Sequence, residues 1–234
     1  MNIIRNERHI SFRSSVGQYA SLGGLLMLLV GLVISFMRPT WTLPVLVSMP
    51  LGFALSVVGG FFADRFAGPL ARHKTLAEVL KGLDYRHTLL QYVLPADHVL
   101  VEPGGCTCFV VKAQGGVVVY EQGKWAHRQR GRFFRLLVGQ EALGKPDVEA
   151  QQEVERLRRY LEEQMDDADQ VPLRGAIVFV NEDVKLEADK SPVPTFYRKK
   201  VKDWLRGPGD LKSLPSDLQQ RLGAALGARQ DEQD

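Results

Sequence analysis

Two charged residues stand at the margins of apolar runs. Asp97 opens "DHVLVE" (residues 97–102), and Lys112 ends "GCTCFVVK" (residues 105–112). Pro103-Gly104-Gly105 lies between them and reads as a turn. If the two runs pair as an antiparallel hairpin, Asp97 and Lys112 come to the same end of a sheet. Residues two apart on a strand share a face, so Lys112 sides with Val110 and Cys108, and Phe109 and Val111 face the other way. A carboxylate and an ammonium at one sheet end can form a plain ion pair. They can also serve phosphodiester hydrolysis. There, carboxylates hold a hard divalent cation that activates water, and the lysine orients that water and stabilises charge. The second chemistry needs another acid. Lys112's own strand, residues 105–112, has none. Glu121, ending the next strand, and Glu78, on an earlier helix, are the acids that could substitute. Asp97 alone would hold Mg²⁺ only weakly.

Other residue groups carry less. Cys106 and Cys108 share a strand face, and with His98 they fall short of a four-ligand zinc site, so burial as small apolar residues is expected. Lys124, His127, Arg128, Arg130, Arg132 and Arg135 form a run without an acid, and Arg198, Lys199, Lys200, Lys202 and Arg206 form a second basic cluster. Solvated surface is the default for both, and a phosphate-backbone contact is the functional alternative. The first run, through Lys124, Arg128, Arg130 and Arg132, is the expected nucleic-acid contact, and it could equally meet anionic lipid.

The elements that must position these residues follow a long apolar stretch. No charged residue occurs from Ser14 to Met37 or from Pro39 to Ala63, and only Arg38 separates the runs. Each exceeds the roughly 20 residues that a helix needs to cross a bilayer core. The pattern predicts a transmembrane hairpin with the short loop "RPTWTLP". A second span directly after the first, with no small-residue cleavage site between, argues against a signal peptide. Arg5, Arg8 and Arg13 precede the hairpin and Arg65, Arg72 and Lys74 follow it, so both termini are expected in the cytoplasm of a multi-pass cell-membrane protein. Two cysteines in the whole chain suit that reducing compartment. Ser48, Gly52, Ser56 and Gly60 recur every fourth residue, which predicts close packing against the first span or, alternatively, a homo-oligomer through that face.

The chain has 30 basic and 27 acidic residues. Arg5, Arg8, Arg13, Arg38 and the single acid Glu7 hold the imbalance, so the part after residue 63 carries 26 of each sign. Global charge therefore gives no case for nucleic acid. Beyond the connector 64–74, the patterns predict a helix from Thr75, strands at His98–Glu102, Cys106–Lys112 and Val117–Glu121, and irregular chain over 124–140. A helix over Asp147–Met165, a strand over Arg174–Asn181 and a helix over Thr195–Arg206 follow. The helix stripe is read as Val148, Val154, Leu157, Leu161 and Met165. A short helix from about Ser216 and a polar tail end the chain. The order αβββαβα implies an α/β fold with a mixed sheet flanked by helices.

"ADHVLVEPGGCTCFVVK", "GGVVVYEQGKW", "AQQEVERLRRYL" and "GAIVFVN" together resemble the nuclease-related domain family (NERD), of restriction-endonuclease-like fold. Asp97, His98, Gly105, Lys112, Gly116, Gly123 and Trp125 match the family pattern, over about residues 75–206. The departure is Val110, at the place of the family's acid. Together with the apolar runs and the polar tail, the resemblance divides the chain into three segments: 1–70, N-terminus and hairpin; 71–206, a NERD-like cytoplasmic domain; 207–234, a short helix and disordered tail. It implies a site built from Asp97, Lys112 and a relocated acid such as Glu121, with Mg²⁺ as cofactor only if active. The expected function is a membrane-anchored, catalytically degenerate domain that binds nucleic acid or a protein partner. The alternatives are an active Mg²⁺-dependent nuclease and a membrane scaffold.

Overall fold

The computed structural model describes residues 1–129, 131, 139, 141–207, 209 and 211–227. It is a mixed α/β structure in two units. One comprises residues 1–7, 72–129 and 143–234; the other comprises residues 8–71 and 130–142.

The second unit is built on two helices, α1 (Glu7–Met37) and α2 (Thr42–Phe62), each long and apolar enough to cross a membrane. Most of their large side chains point outward, and apart from Ile10 what they bury is glycine. On α1 the buried positions are Ile10, Gly17, Gly24 and Gly31, seven residues apart. A seven-residue repeat keeps one seam facing one partner along the helix. A methyl group on Gly24 would come within 2.5 Å of Ser56 Oγ and 2.7 Å of the Gly52 carbonyl oxygen, and one on Gly31 within 2.5 Å of Ser48 Oγ. Ser48, Gly52 and Ser56 therefore face α1 within the same chain. Gly139, buried at φ +89°, packs its backbone against Val57, Gly60 and Phe61 of α2. The fourth small residue of the stripe is thus covered as well.

The first unit holds a six-stranded sheet. Its strands are β1 (Asn2–Arg5), β2 (Thr88–Gln91), β3 (His98–Glu102), β4 (Gly105–Lys112), β7 (Leu173–Phe179) and β9 (Thr195–Tyr197), in that spatial order. All run in one direction except β3, which pairs antiparallel with both neighbours. A second sheet has the order β6 (Lys124–Arg128), β5 (Gly116–Glu121), β8 (Val184–Glu187). Helix α3 (Arg72–Leu80) and α5 (Val201–Leu205) cover one face of the large sheet, where Leu76, Leu80, Val201 and Leu205 meet Leu100, Phe109, Val111 and Val178. Helix α4 (Pro146–Gln164) and α6 (Ser216–Gly227) cover the other, where Leu157, Leu161, Leu218 and Leu222 meet Val99, Cys106 and Cys108. The alternation along β4 is the one its sequence predicts.

Several elements differ from the sequence expectation, for local reasons. Residues 2–5 form a strand, so the chain's start folds with the sheet and not with the hairpin. The stretch after Gly123 is a strand because Gln122 and Gly123 both take positive φ, at 50° and 74°, the two-residue turn that closes a hairpin between Glu121 and Lys124. Thr195–Tyr197 is a strand beside β7 and not the start of a helix, and a 3-10 turn at Arg198–Lys200 intervenes before α5. The strand state comes from the parallel edge that β7 offers, where the Ile177 N–H donates to the Pro194 carbonyl at 2.9 Å. Helix α6 is part of the core through Leu218, Leu222 and Leu226.

Candidate site at the carboxyl end of the six-stranded sheet

Five strands deliver their last residues to one end of the sheet, so β4 ends there on Lys112, level with Phe179 of β7. The β3–β4 register pairs Val99 with Cys108. Continued two residues outward, it brings Asp97 level with Val110. Asp97 and Lys112 thus occupy the same end.

Lys112 is fully buried, and its ammonium donates to both oxygens of Glu149, at 2.8 and 2.7 Å. Glu149 lies in the first turn of α4, and its side chain is 36% exposed. One turn further, Glu153 accepts the backbone N–H of Asp97 at 2.8 Å and an Arg156 N–H at 2.7 Å. The acid partners of this end therefore come from a helix. Val110 is an apolar wall, 6% exposed, packed with Ala150, Ile177 and Phe179.

The acids named from sequence lie elsewhere. Glu121 is exposed at the tip of the β5–β6 hairpin, opposite Lys124. The five-residue advance from Gly116 to Glu121 carries it about 17 Å along the strand. Glu78 sits on α3, across the sheet from α4, and pairs with Arg198 at 3.8 Å. Lys124 and Arg128 are exposed at opposite ends of β6, about 13 Å apart. Arg130, Arg132 and Arg135 lie outside the described residues. Trp125 donates its indole N–H to Asp147 at 2.9 Å and lies against Tyr120 and Phe179, which ties the small sheet to the start of α4.

The helix stripe read from the sequence is rotated from the buried one, which hides Glu149 and Glu153. Val148, counted in the stripe, is 39% exposed; Pro146, Ala150, Leu157, Tyr160 and Leu161 are buried. At 100° per residue, Glu153 falls within that buried stripe and Glu149 at its margin. Two acids on the inward side of an amphipathic helix were the available signal.

Burial raises both thiols. Cys106 is pushed up to about 12, by burial first and then by Glu102. Cys108 is raised well above the usual range, by burial, Cys106 and Glu153. Both stay neutral and are neither nucleophiles nor ready metal ligands. Nearby, Arg5 donates to Gln91 at 2.7 Å, and Gln91 donates to the His73 carbonyl at 2.9 Å. His73 is buried and its pKa falls to about 4, through burial first and then Arg5 and Lys74.

Magnesium, which the resemblance implies, does not fit these residues. Both Glu149 oxygens are taken by Lys112, and among the described residues no three Asp, Glu, His or Cys side chains converge on a point that could hold an ion. Compared with protein-family models, curated proteins and solved structures, the chain gives no match.

Proposed function

We propose that this chain is a membrane-anchored protein whose NERD-like domain, of restriction-endonuclease-like descent, sits at the cytoplasmic face and binds a nucleic acid or protein partner without cutting it. The observation that carries the reading is the Lys112–Glu149 pair beside Val110. The lysine is buried and neutralised by a helix carboxylate, and the neighbouring strand position offers a methyl surface where catalysis would need a second acid.

Anchoring has separate support. β1 precedes the apolar hairpin, and its partner β2 follows it. That pairing supports a hairpin with both ends on one side of the bilayer, and the flanking arginines favour the cytoplasmic side.

The test is a DNA cleavage and binding assay on the full-length protein in detergent, with Mg²⁺ or Mn²⁺. Salt-dependent DNA binding without cleavage is the expected result. Metal-dependent cleavage that disappears in Glu149→Gln would overturn the reading and make α4 the source of a relocated acid. Neither binding nor cleavage would leave a protein partner or a scaffold role.

A further inference from the structure

The chain leaves the unit of the large sheet for the apolar hairpin after residue 7 and returns to it at residue 72. Both passages lie at the carboxyl end of the large sheet. β1 ends there on Arg5, opposite Gln91. α3 starts there, since Gln91 holds the His73 carbonyl. β6 ends there on Arg128, opposite Val117 near the start of β5. α4 starts there, with Glu149 on Lys112. The same end carries the 3-10 turn Arg198–Lys200, which follows Tyr197, the β9 residue level with Phe179 and hence with Lys112.

The charges at this end are unequally engaged. Arg198 holds Glu182 at 3.3 Å and Glu78 at 3.8 Å. Lys74, Lys199 and Lys200 are exposed, and no carboxylate among the described residues lies within ion-pair distance of them. Three free ammonium groups at the end where the chain enters an apolar hairpin meet the condition for attraction to an anionic leaflet, worth about 1 kcal/mol per basic residue near the surface. That attraction falls off within a Debye length, about 10 Å at 0.1 M salt, so only cations beside the entry points contribute.

We propose that the carboxyl end of the large sheet rests on the bilayer surface, and that Lys74, Lys199 and Lys200 bind anionic phospholipid headgroups there. The inference rests on the reading that α1 and α2 cross the membrane. It assigns the second basic cluster to lipid phosphate in place of a nucleic-acid backbone.

The test is lysine acylation of the full-length protein in nanodiscs of pure phosphatidylcholine and of phosphatidylcholine with phosphatidylglycerol. Lys124, at the hairpin tip, and Lys212, whose carbonyl lies beside Gly104 at the opposite sheet end, are the internal references. The expected result is roughly fivefold slower labelling of Lys74, Lys199 and Lys200 in the anionic discs, the fold-change of about 1 kcal/mol per lysine. The references stay unchanged, and 0.5 M salt removes the protection. In Lys199→Glu/Lys200→Glu the protection of Lys74 weakens. Equal labelling in both discs overturns the proposal, as does protection that appears only when an oligonucleotide is added. Failure to enter discs at all, scored first by size exclusion, overturns the anchoring reading and this inference with it.

Discussion

At the amino end of the large sheet, Arg174 of β7 donates to both oxygens of Glu102 at 3.1 Å and to Thr107 at 2.8 Å, and Thr107 donates to Glu102. The guanidinium carbon lies 4.3 Å from the Trp204 ring centre. Glu102 is 4% exposed and Arg174 19%. At the carboxyl end, Lys112 is fully buried, but its partner Glu149 is more than a third exposed and stands in the first turn of a helix. The first pair joins core strands and is capped by an aromatic face. The second has one dry partner and one wet one. Burial of both charges marks a structural device, whose loss leaves an uncompensated ion. A buried lysine that meets a solvent-facing carboxylate is an arrangement that a ligand could compete with. The carboxyl end is also the end the chain uses to enter the hairpin, so the two ends differ in surroundings as well as chemistry.

The largest expected effect is at the amino end. Arg174→Ala leaves Glu102 nearly dry, without its cation or the stacked indole. The expected cost is about 3–5 kcal/mol of stability, read by chemical denaturation in detergent. A loss under about 1 kcal/mol would break the contrast, because the amino end would then be no more structural than the other.

pH gives the next effect. His73 stays neutral in the folded chain down to about pH 4, whereas the ordinary histidine value is 6.5. The unfolded chain therefore binds the extra proton between those values, and stability rises with pH across that window. The contribution is complete above pH 6.5 and is lost as pH falls to 4, by up to about 3 kcal/mol. His73→Gln should flatten this slope. Asp84, held down to about 2 by Arg86 and then His87, acts only in a lower window, so a slope unchanged in His73→Gln would show that another group carries it.

The two ends of the sheet also differ in how far the sequence reveals them. The apolar runs, the strand ending on Lys112 and its alternating faces were legible, because burial imposes a period that composition reveals. The convergence of Asp97 and Lys112 followed from one hairpin turn. The partner of Lys112 did not follow. It depends on the rotation of α4 by less than half a turn, which Ala150 and Tyr160 decide and which a count of valines and leucines obscures. β1 was invisible for a different reason. Four residues carry little periodicity, and their strand state exists only because β2, more than eighty residues away, offers a parallel edge. The tight packing of α1 on α2 was half legible. The stripe from Ser48 to Gly60 was plain, but only the fold chooses between a neighbour in the same chain and a second copy.

The smallest effects separate the two members of the carboxyl-end pair. Glu149→Gln keeps the shape but leaves a fully buried ammonium with a neutral partner. The expected loss is roughly 1–3 kcal/mol, below the amino-end value because water reaches the Glu149 position and softens the field there. Lys112→Met removes the buried charge and fills the same volume with an apolar chain beside Val110, and the Glu149 carboxylate it releases can turn to solvent. That change should lie within about 1 kcal/mol of the parent, in either direction. The double substitution should then resemble Lys112→Met alone, because the amide introduced by Glu149→Gln no longer faces a charge. If Lys112→Met proves as damaging as Arg174→Ala, the lysine is a structural rivet like its counterpart at the other end, and the carboxyl end loses its standing as a site. If Lys112→Met is neutral for stability yet abolishes partner binding by the intact protein, the lysine is held for function. A fold that could replace a buried ammonium with a thioether at no cost has then kept the ammonium for what binds beside it.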